Sequence, residues 1–225
     1  MTYSLYIIGF PSLYGGAGAE LYHQIKVWKQ MGVEMHLIPT QKNAHGAGLY
    51  PEMVKLGVAV HEGYDWEAIP AGAPVISFCN EEFLAALPKI RKRTGRTVFV
   101  NCMTWLFGRE KEAMRLGDIS LFLYQNSNVM GNVMPRLRAL NPDPAIRFMT
   151  FRPYFDAADF PFAAGRSTDW FGAGHISRQD EDKFSKDTWH IYEHFASPVR
   201  KKGTFLGFDR RSEAIALMYF GGYAL

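Results

Sequence analysis

The chain has 225 residues, 48% of them hydrophobic and 21% charged, with a formal net charge of +3. That composition belongs to a folded chain with a sizeable core and excludes disordered and fibrous proteins. It also speaks against nucleic acid as a partner, since the densest basic clusters, "KIRKR" at Lys89–Arg93 and "RKK" at Arg200–Lys202, read as exposed faces or helix ends.

Strand-like runs fall at Ser4–Phe10, Glu34–Ile38, Val58–His61, Val75–Cys79, Thr97–Cys102, Ser120–Tyr124 and Ile146–Thr150. Helical spacing occupies Ala17–Met31, Pro51–Leu56, Glu81–Arg93, Arg109–Leu116 and Asn128–Ala139, with Gly32 and Gly95 placed to end the first and third helices. Strict alternation of this kind predicts repeated βα units. The expected fold class is therefore α/β, a Rossmann-like parallel sheet with flanking helices over residues 1–151, plus the start of a second domain.

Residues 152–170, "RPYFDAADFPFAAGRSTDW" from Arg152, interrupt the alternation with Pro, Gly and small residues and read as an interdomain connection. Beyond it, residues 171–225 offer a strand in "FGAGHISR", a helix in "DEDKFSKDTWHIYEHFA", one more strand and an apolar tail. That is too little to bury a core of its own. The tail is expected to pack on the first domain or on another copy of the chain.

Cys79 and Cys102 each follow an apolar run, which suggests buried or cleft-edge thiols in a reducing compartment, with the cytoplasm as default. No signal-peptide pattern or membrane-spanning run is evident, and peripheral membrane contact stays open.

Between the first strand and first helix lies "GFPSLYGGAGAEL", Gly9–Leu21. Gly15, Gly16 and Gly18 would sit at a helix N-terminus, where bare backbone N–H groups attract anions and a ligand can approach the main chain. The dinucleotide fingerprint G-x-G-x-x-G fits poorly, because Leu21 stands where its third glycine belongs and the second strand ends "LIPT" without a carboxylate. No Gly-Lys-Ser/Thr follows, which excludes a Walker loop. Glu20 has two readings: an acidic group beside the ligand, or a carboxylate that complements the helix dipole. At the carboxyl edge of a later strand, "FVNCMTW" offers Asn101, Thr104 and Trp105, with Trp105 either stacked on a sugar face or in the core.

"HIYEH" at His190–His194 matches a zinc-protease pattern, H-x-x-E-H, but the later acidic residues, Asp209 and Glu213, lie too close for that class. An amphipathic helix with exposed His and Glu is the expected outcome, and no metal is implied.

"GGAGAE" at Gly15–Glu20, followed far downstream by "FGAGHISRQDEDKF" at Phe171–Phe184, resembles the retaining glycosyltransferases of two-domain GT-B architecture known as family 4. "LGVAV" at Leu56–Val60 is similar to that family's third-strand entry. The resemblance implies an acceptor-side first domain and a donor-side second domain facing each other across a cleft. It also implies transfer from a nucleoside-diphosphate sugar to a carbohydrate or other hydroxyl acceptor, with retention and no cofactor beyond the donor. Arg178 and Lys183 would then be the catalytic cations, stabilising charge on the departing diphosphate, a planar fork beside a mobile point charge. Ser177 replaces the usual glycine before Arg178, and no His stands where the family carries one near the reacting sugar. The family's downstream glutamate pair has no counterpart either, so the resemblance predicts weak or absent transfer by this chain alone. A non-catalytic carbohydrate- or nucleotide-binding domain is the alternative.

Overall fold

The computed structural model describes residues 3–12, 16–42, 48–159, 169–176, 187, 190–191, 194 and 196–206. The chain divides into two compact units, residues 1–159 and 160–225.

In the first unit β1 (Tyr3–Gly9), β2 (Val33–Pro39), β3 (Ala59–Val60), β4 (Val75–Phe78), β5 (Thr97–Asn101), β6 (Leu121–Tyr124) and β7 (Arg147–Thr150) form one sheet. Its spatial order is β3-β2-β1-β4-β5-β6-β7, and every neighbouring pair is parallel. The helices are α1 (Gly16–Gln30), α2 (Tyr50–Lys55), α3 (Glu81–Ile90), α4 (Gly108–Leu116) and α5 (Ser127–Arg138). This is an α/β Rossmann-like fold, with the order reversing between β1 and β4.

Burial on both faces explains why the strands read as nearly continuous apolar runs. Alternate residues along one strand enter different cores: Ile7, Val100 and Leu123 pack with Leu21 and Ile25 of α1 and Met53 of α2. Ile8, Phe99 and Phe122 pack with Phe83 of α3, Met114 of α4 and Leu137 of α5. Each such buried side chain stabilises the fold by about 1.5–3 kcal/mol relative to exposure.

Element ends differ from expectation by a few residues. α3 stops at Ile90, and Arg93 beyond it donates from Nε to the Ile69 carbonyl at 3.1 Å. One-turn 3-10 helices at Trp66–Ala68 and Ala157–Asp159 were not anticipated by periodicity, being too short to show any. The "RKK" cluster is not a helix end: Arg200–Lys202 begin strand β9 (Arg200–Leu206).

The first unit runs past Phe151 to Asp159 because the segment after β7 folds back on α1. Lys26 Nζ reaches Asp159 at 2.6 Å and Asp156 at 3.2 Å, and the Asp156 amide donates to His23 Nδ1 at 3.2 Å. Phe155 lies against the His23 ring, with centroids 5.0 Å apart.

A column of rings bridges β1, β2 and the end of β3. Tyr6 lies flat on His36, with centroids 4.4 Å apart, and His36 Nδ1 meets His61 Nε2 at 3.0 Å. Glu34 approaches His36 Nε2 at 3.6 Å. Burial first, and then His36, hold the His61 imidazole below its ordinary value, against an opposing pull from Asp65. An unfolded His61 takes up a proton that the folded one resists, so this contribution is present above about pH 6.5 and is lost as pH falls below it. His61→Phe keeps a ring in the column and is expected to flatten the acid limb of stability. Urea midpoints compared at about pH 7.5 and about pH 5.5 check this, and an unchanged acid limb refutes it.

In the second unit β8 (Trp170–Ile176) and β9 form a parallel pair in register from Trp170↔Arg200 to Ile176↔Leu206. No helix among the described residues is long and apolar enough to cross a membrane. The expected apolar tail, residues 215–225, lies outside the described residues.

Candidate functional site

A parallel sheet delivers every βα turn to the carboxyl edge of its strands, and the point where strand order reverses leaves a crevice there. In this sheet the crevice adjoins the ends of β1 and β4, with β5 and β6 next in line.

The exit from β1 is locked by contacts from distant residues. Tyr50 Oη donates to the Gly9 carbonyl at 2.9 Å, and Ser77 Oγ donates to the Ile8 carbonyl at 2.6 Å. The Leu49 amide donates to the Pro11 carbonyl at 3.0 Å. Gly48 has φ +57°, and a Cβ there would lie 2.4 Å from that carbonyl oxygen, so a bare residue is required.

Of the three glycines assigned to a ligand, Gly15 lies outside the described residues. Gly16 opens α1 and is exposed, with nothing within 4 Å of where its Cβ would be. Gly18 is buried, and its missing Cβ makes room for the protein itself: that atom would lie 2.6 Å from the Ser12 carbonyl oxygen. The close approach at Gly18 is thus between α1 and the β1 exit.

Glu20 does not complement the helix dipole from the first turn, which carries no acidic residue. It is 2% exposed and points inward, where Gln125 Nε2 donates to its Oε2 at 2.5 Å and Cys102 Sγ lies 3.6 Å from the same oxygen. Burial raises its carboxyl above the usual range, against the lowering effect of those two hydrogen bonds. Oε1 is the one buried side-chain oxygen or nitrogen among the described residues without a hydrogen-bond partner. Such an atom is costly to bury alone.

Asn101 is also buried, and its side chain is occupied by the protein. Nδ2 donates to Glu110 Oε2 at 2.8 Å and to the Trp105 carbonyl at 3.0 Å, while Oδ1 accepts from the Met103 amide at 2.7 Å. Asn101 therefore shapes the loop rather than reaching into the crevice. Glu110, in turn, accepts from Tyr124 Oη at 2.9 Å and from the Phe107 amide at 3.1 Å. Burial raises its carboxyl to about 7, although all three donors lower it. This network holds the β5–α4 turn, on which Thr104 and Trp105 are both exposed. Trp105 is 56% exposed, which removes the core reading and leaves its ring face available for stacking.

Sequence reasoning placed the two cysteines at strand ends but missed that Gln125, Thr40 and Asn80 converge with them at this edge. Asn80 caps α3, its Oδ1 accepting from the Phe83 amide at 2.7 Å while Nδ2 donates to Thr40 Oγ1 at 3.1 Å. A signal was present: each of these residues follows a buried strand directly or nearly so, where polar groups face the crevice.

Arg178 and Lys183 lie outside the described residues. His190 and His194 are exposed, and His194 Nδ1 lies 3.0 Å from the His190 carbonyl oxygen. Among the described residues no group of three or more His, Cys, Asp or Glu side chains could hold a metal ion. A groove lined by Tyr3, Trp28, Met31, Pro70 and Arg96 opens at the amino edge of the strands, the end away from this crevice.

The chain matches no protein-family model, no curated protein and no solved structure.

Proposed function

We propose that this protein binds a nucleoside-diphosphate sugar and acts as, or derives from, a retaining glycosyltransferase. The observation that carries the reading is the strand order, which brings the end of β1 and the Thr104–Trp105 turn to one edge beside the reversal between β1 and β4. The resemblance carried by "GGAGAE" and "FGAGHISRQDEDKF" supplies the substrate class.

In this reading Trp105 stacks on a sugar face and the orphaned Glu20 oxygen accepts from a sugar hydroxyl. Arg178 and Lys183 take the charge that develops on the departing diphosphate, where fixed cations stabilise the transition state more than the ground state. Gly16 leaves the first turn of α1 bare for a phosphate or for the acceptor.

Ligand-observed titration with UDP-, GDP- and ADP-sugars tests the reading on the full chain. One nucleotide class is expected to bind, and Arg178→Ala is expected to weaken it by about 10-fold or more, as loss of a charged hydrogen-bonding partner does. Unchanged affinity in that variant removes the phosphate role of Arg178, and no binding by any of the three donors removes the reading. Release or transfer of labelled sugar then separates an enzyme from a binding protein.

A further inference from the structure

The turn between β4 and α3 holds a side chain that sugar transfer does not use. Cys79 has φ +46°, in the left-handed region that a residue with a Cβ rarely occupies. It follows β4 directly, and Asn80 after it caps α3. A sharp strand-to-helix turn with its central residue strained is the geometry that lifts a nucleophile out of a sheet toward a ligand. Here the backbone is also pinned, since the Cys79 amide donates to the Val100 carbonyl at 2.9 Å.

The second thiol comes from the neighbouring strand. Cys102 follows β5, and its amide donates to Cys79 Sγ at 2.8 Å. Both residues are half-buried. The Cys102 sulfur lies on its other side against Glu20 Oε2 at 3.6 Å. The two sulfurs are thus unequal: one receives a backbone N–H, and the other lies against a carboxylate.

We propose that Cys79 is a peroxide-reactive thiol and Cys102 its resolving partner, so that a small hydroperoxide converts the two into a disulfide across the ends of β4 and β5. In the first step the Cys79 sulfur attacks the peroxide O–O bond, forming an S–O bond and releasing water from hydrogen peroxide or an alcohol from an organic hydroperoxide. In the second the Cys102 sulfur attacks the resulting sulfenic acid, forming the S–S bond and releasing water. Two thiols are oxidised by two electrons and one hydroperoxide is reduced.

Geometry assigns the order: the Cys79 sulfur accepts from the Cys102 amide, whereas the Cys102 sulfur lies against the Glu20 carboxylate. The Cys102 thiol first, and its backbone amide, favour the Cys79 thiolate, against burial and the carboxylates of Glu110 and Glu20. Cys79, burial and Glu20 all push the Cys102 thiol up. The thiolate is the attacking form, so Cys79 goes first.

The chain has two cysteines, so a thiol titration of the full protein reads this pair alone. Hydrogen peroxide is expected to remove both thiols from a species that stays monomeric on a non-reducing gel, lower in mass by two hydrogen atoms. Before oxidation, Cys79 is expected to alkylate about 10-fold faster than Cys102 by peptide mapping, a measurement that needs no variant. Cys102→Ser should retain the first step and yield a dimedone adduct on Cys79, whereas Cys79→Ser should lose the peroxide reaction. Thiols that survive peroxide, a disulfide formed between chains, or equal alkylation of the two cysteines would each overturn the proposal.

Discussion

Glu110→Ala is expected to destabilise the protein by about 3 kcal/mol, because it strands three hydrogen-bond donors at once, two of them buried. The Asn101 amide, the Tyr124 hydroxyl and the Phe107 amide all end on that carboxylate. Glu110→Gln should cost much less. Its carbonyl oxygen can take the two N–H donors while the Tyr124 hydroxyl turns to accept from the new amide. The two variants also separate the charge from the connectivity. With the folded carboxyl raised to about 7, the folded state keeps a proton that the unfolded chain releases above about pH 4.3. The contribution is complete below that value and is lost as pH rises through about 7. The wild type should therefore lose stability between about pH 5 and about pH 8 by this route, and Glu110→Gln should not. Urea unfolding of the three proteins across that range checks both parts. Equal destabilisation by Ala and Gln at pH 5 would mean that the donors find other partners.

Gly18→Val is expected to cost about 1–3 kcal/mol and to displace the β1 exit, since even its first carbon would lie 2.6 Å from the Ser12 carbonyl oxygen. Backbone on both sides must shift, because no flexible side chain is there to move aside. Gly16→Ala is the contrast: its Cβ meets nothing within 4 Å, and relief of glycine entropy at a helix start should stabilise by a few tenths of a kcal/mol. If the sugar reading holds, Gly18→Val also loses donor binding while Gly16→Ala retains most of it. Thermal midpoints and the same ligand titration score the two variants together. Equal stability of the two would refute the close packing at Gly18.

Most strands and helices of the first unit were legible because the longer ones show their period and the central strands β1, β4, β5 and β6 are mostly buried apolar runs. Strand order was only partly so: alternation implies parallel pairing, but which strand lies beside β1 is decided by helices choosing a face. The site was least legible. Asn101 and Glu20 both looked like ligand-facing polar residues, yet the first is consumed by Glu110 and Trp105 while the second keeps a free oxygen. The difference arises from partners 9 residues away for Asn101 and 105 residues away for Glu20. Glu110 itself hides in "GREKEAMRL", which reads as a charged outer helix, and only its meeting with Tyr124 from the next strand draws it inward. Cys79 and Cys102 were recognised as strand-end thiols, but their mutual contact depends on β4 and β5 lying side by side.

The placement of β1 between β2 and β4 sets an order of events during synthesis. β1 can pair with β2 once residue 39 has been made, whereas its other neighbour begins at Val75 and pairs through Tyr6↔Val75. Until β4 emerges, a half-built nascent sheet shows one side of Tyr6–Ile8 to the surroundings. Helper proteins that shield growing chains would be expected to act during that interval, and slowing translation just before Val75 should lengthen it.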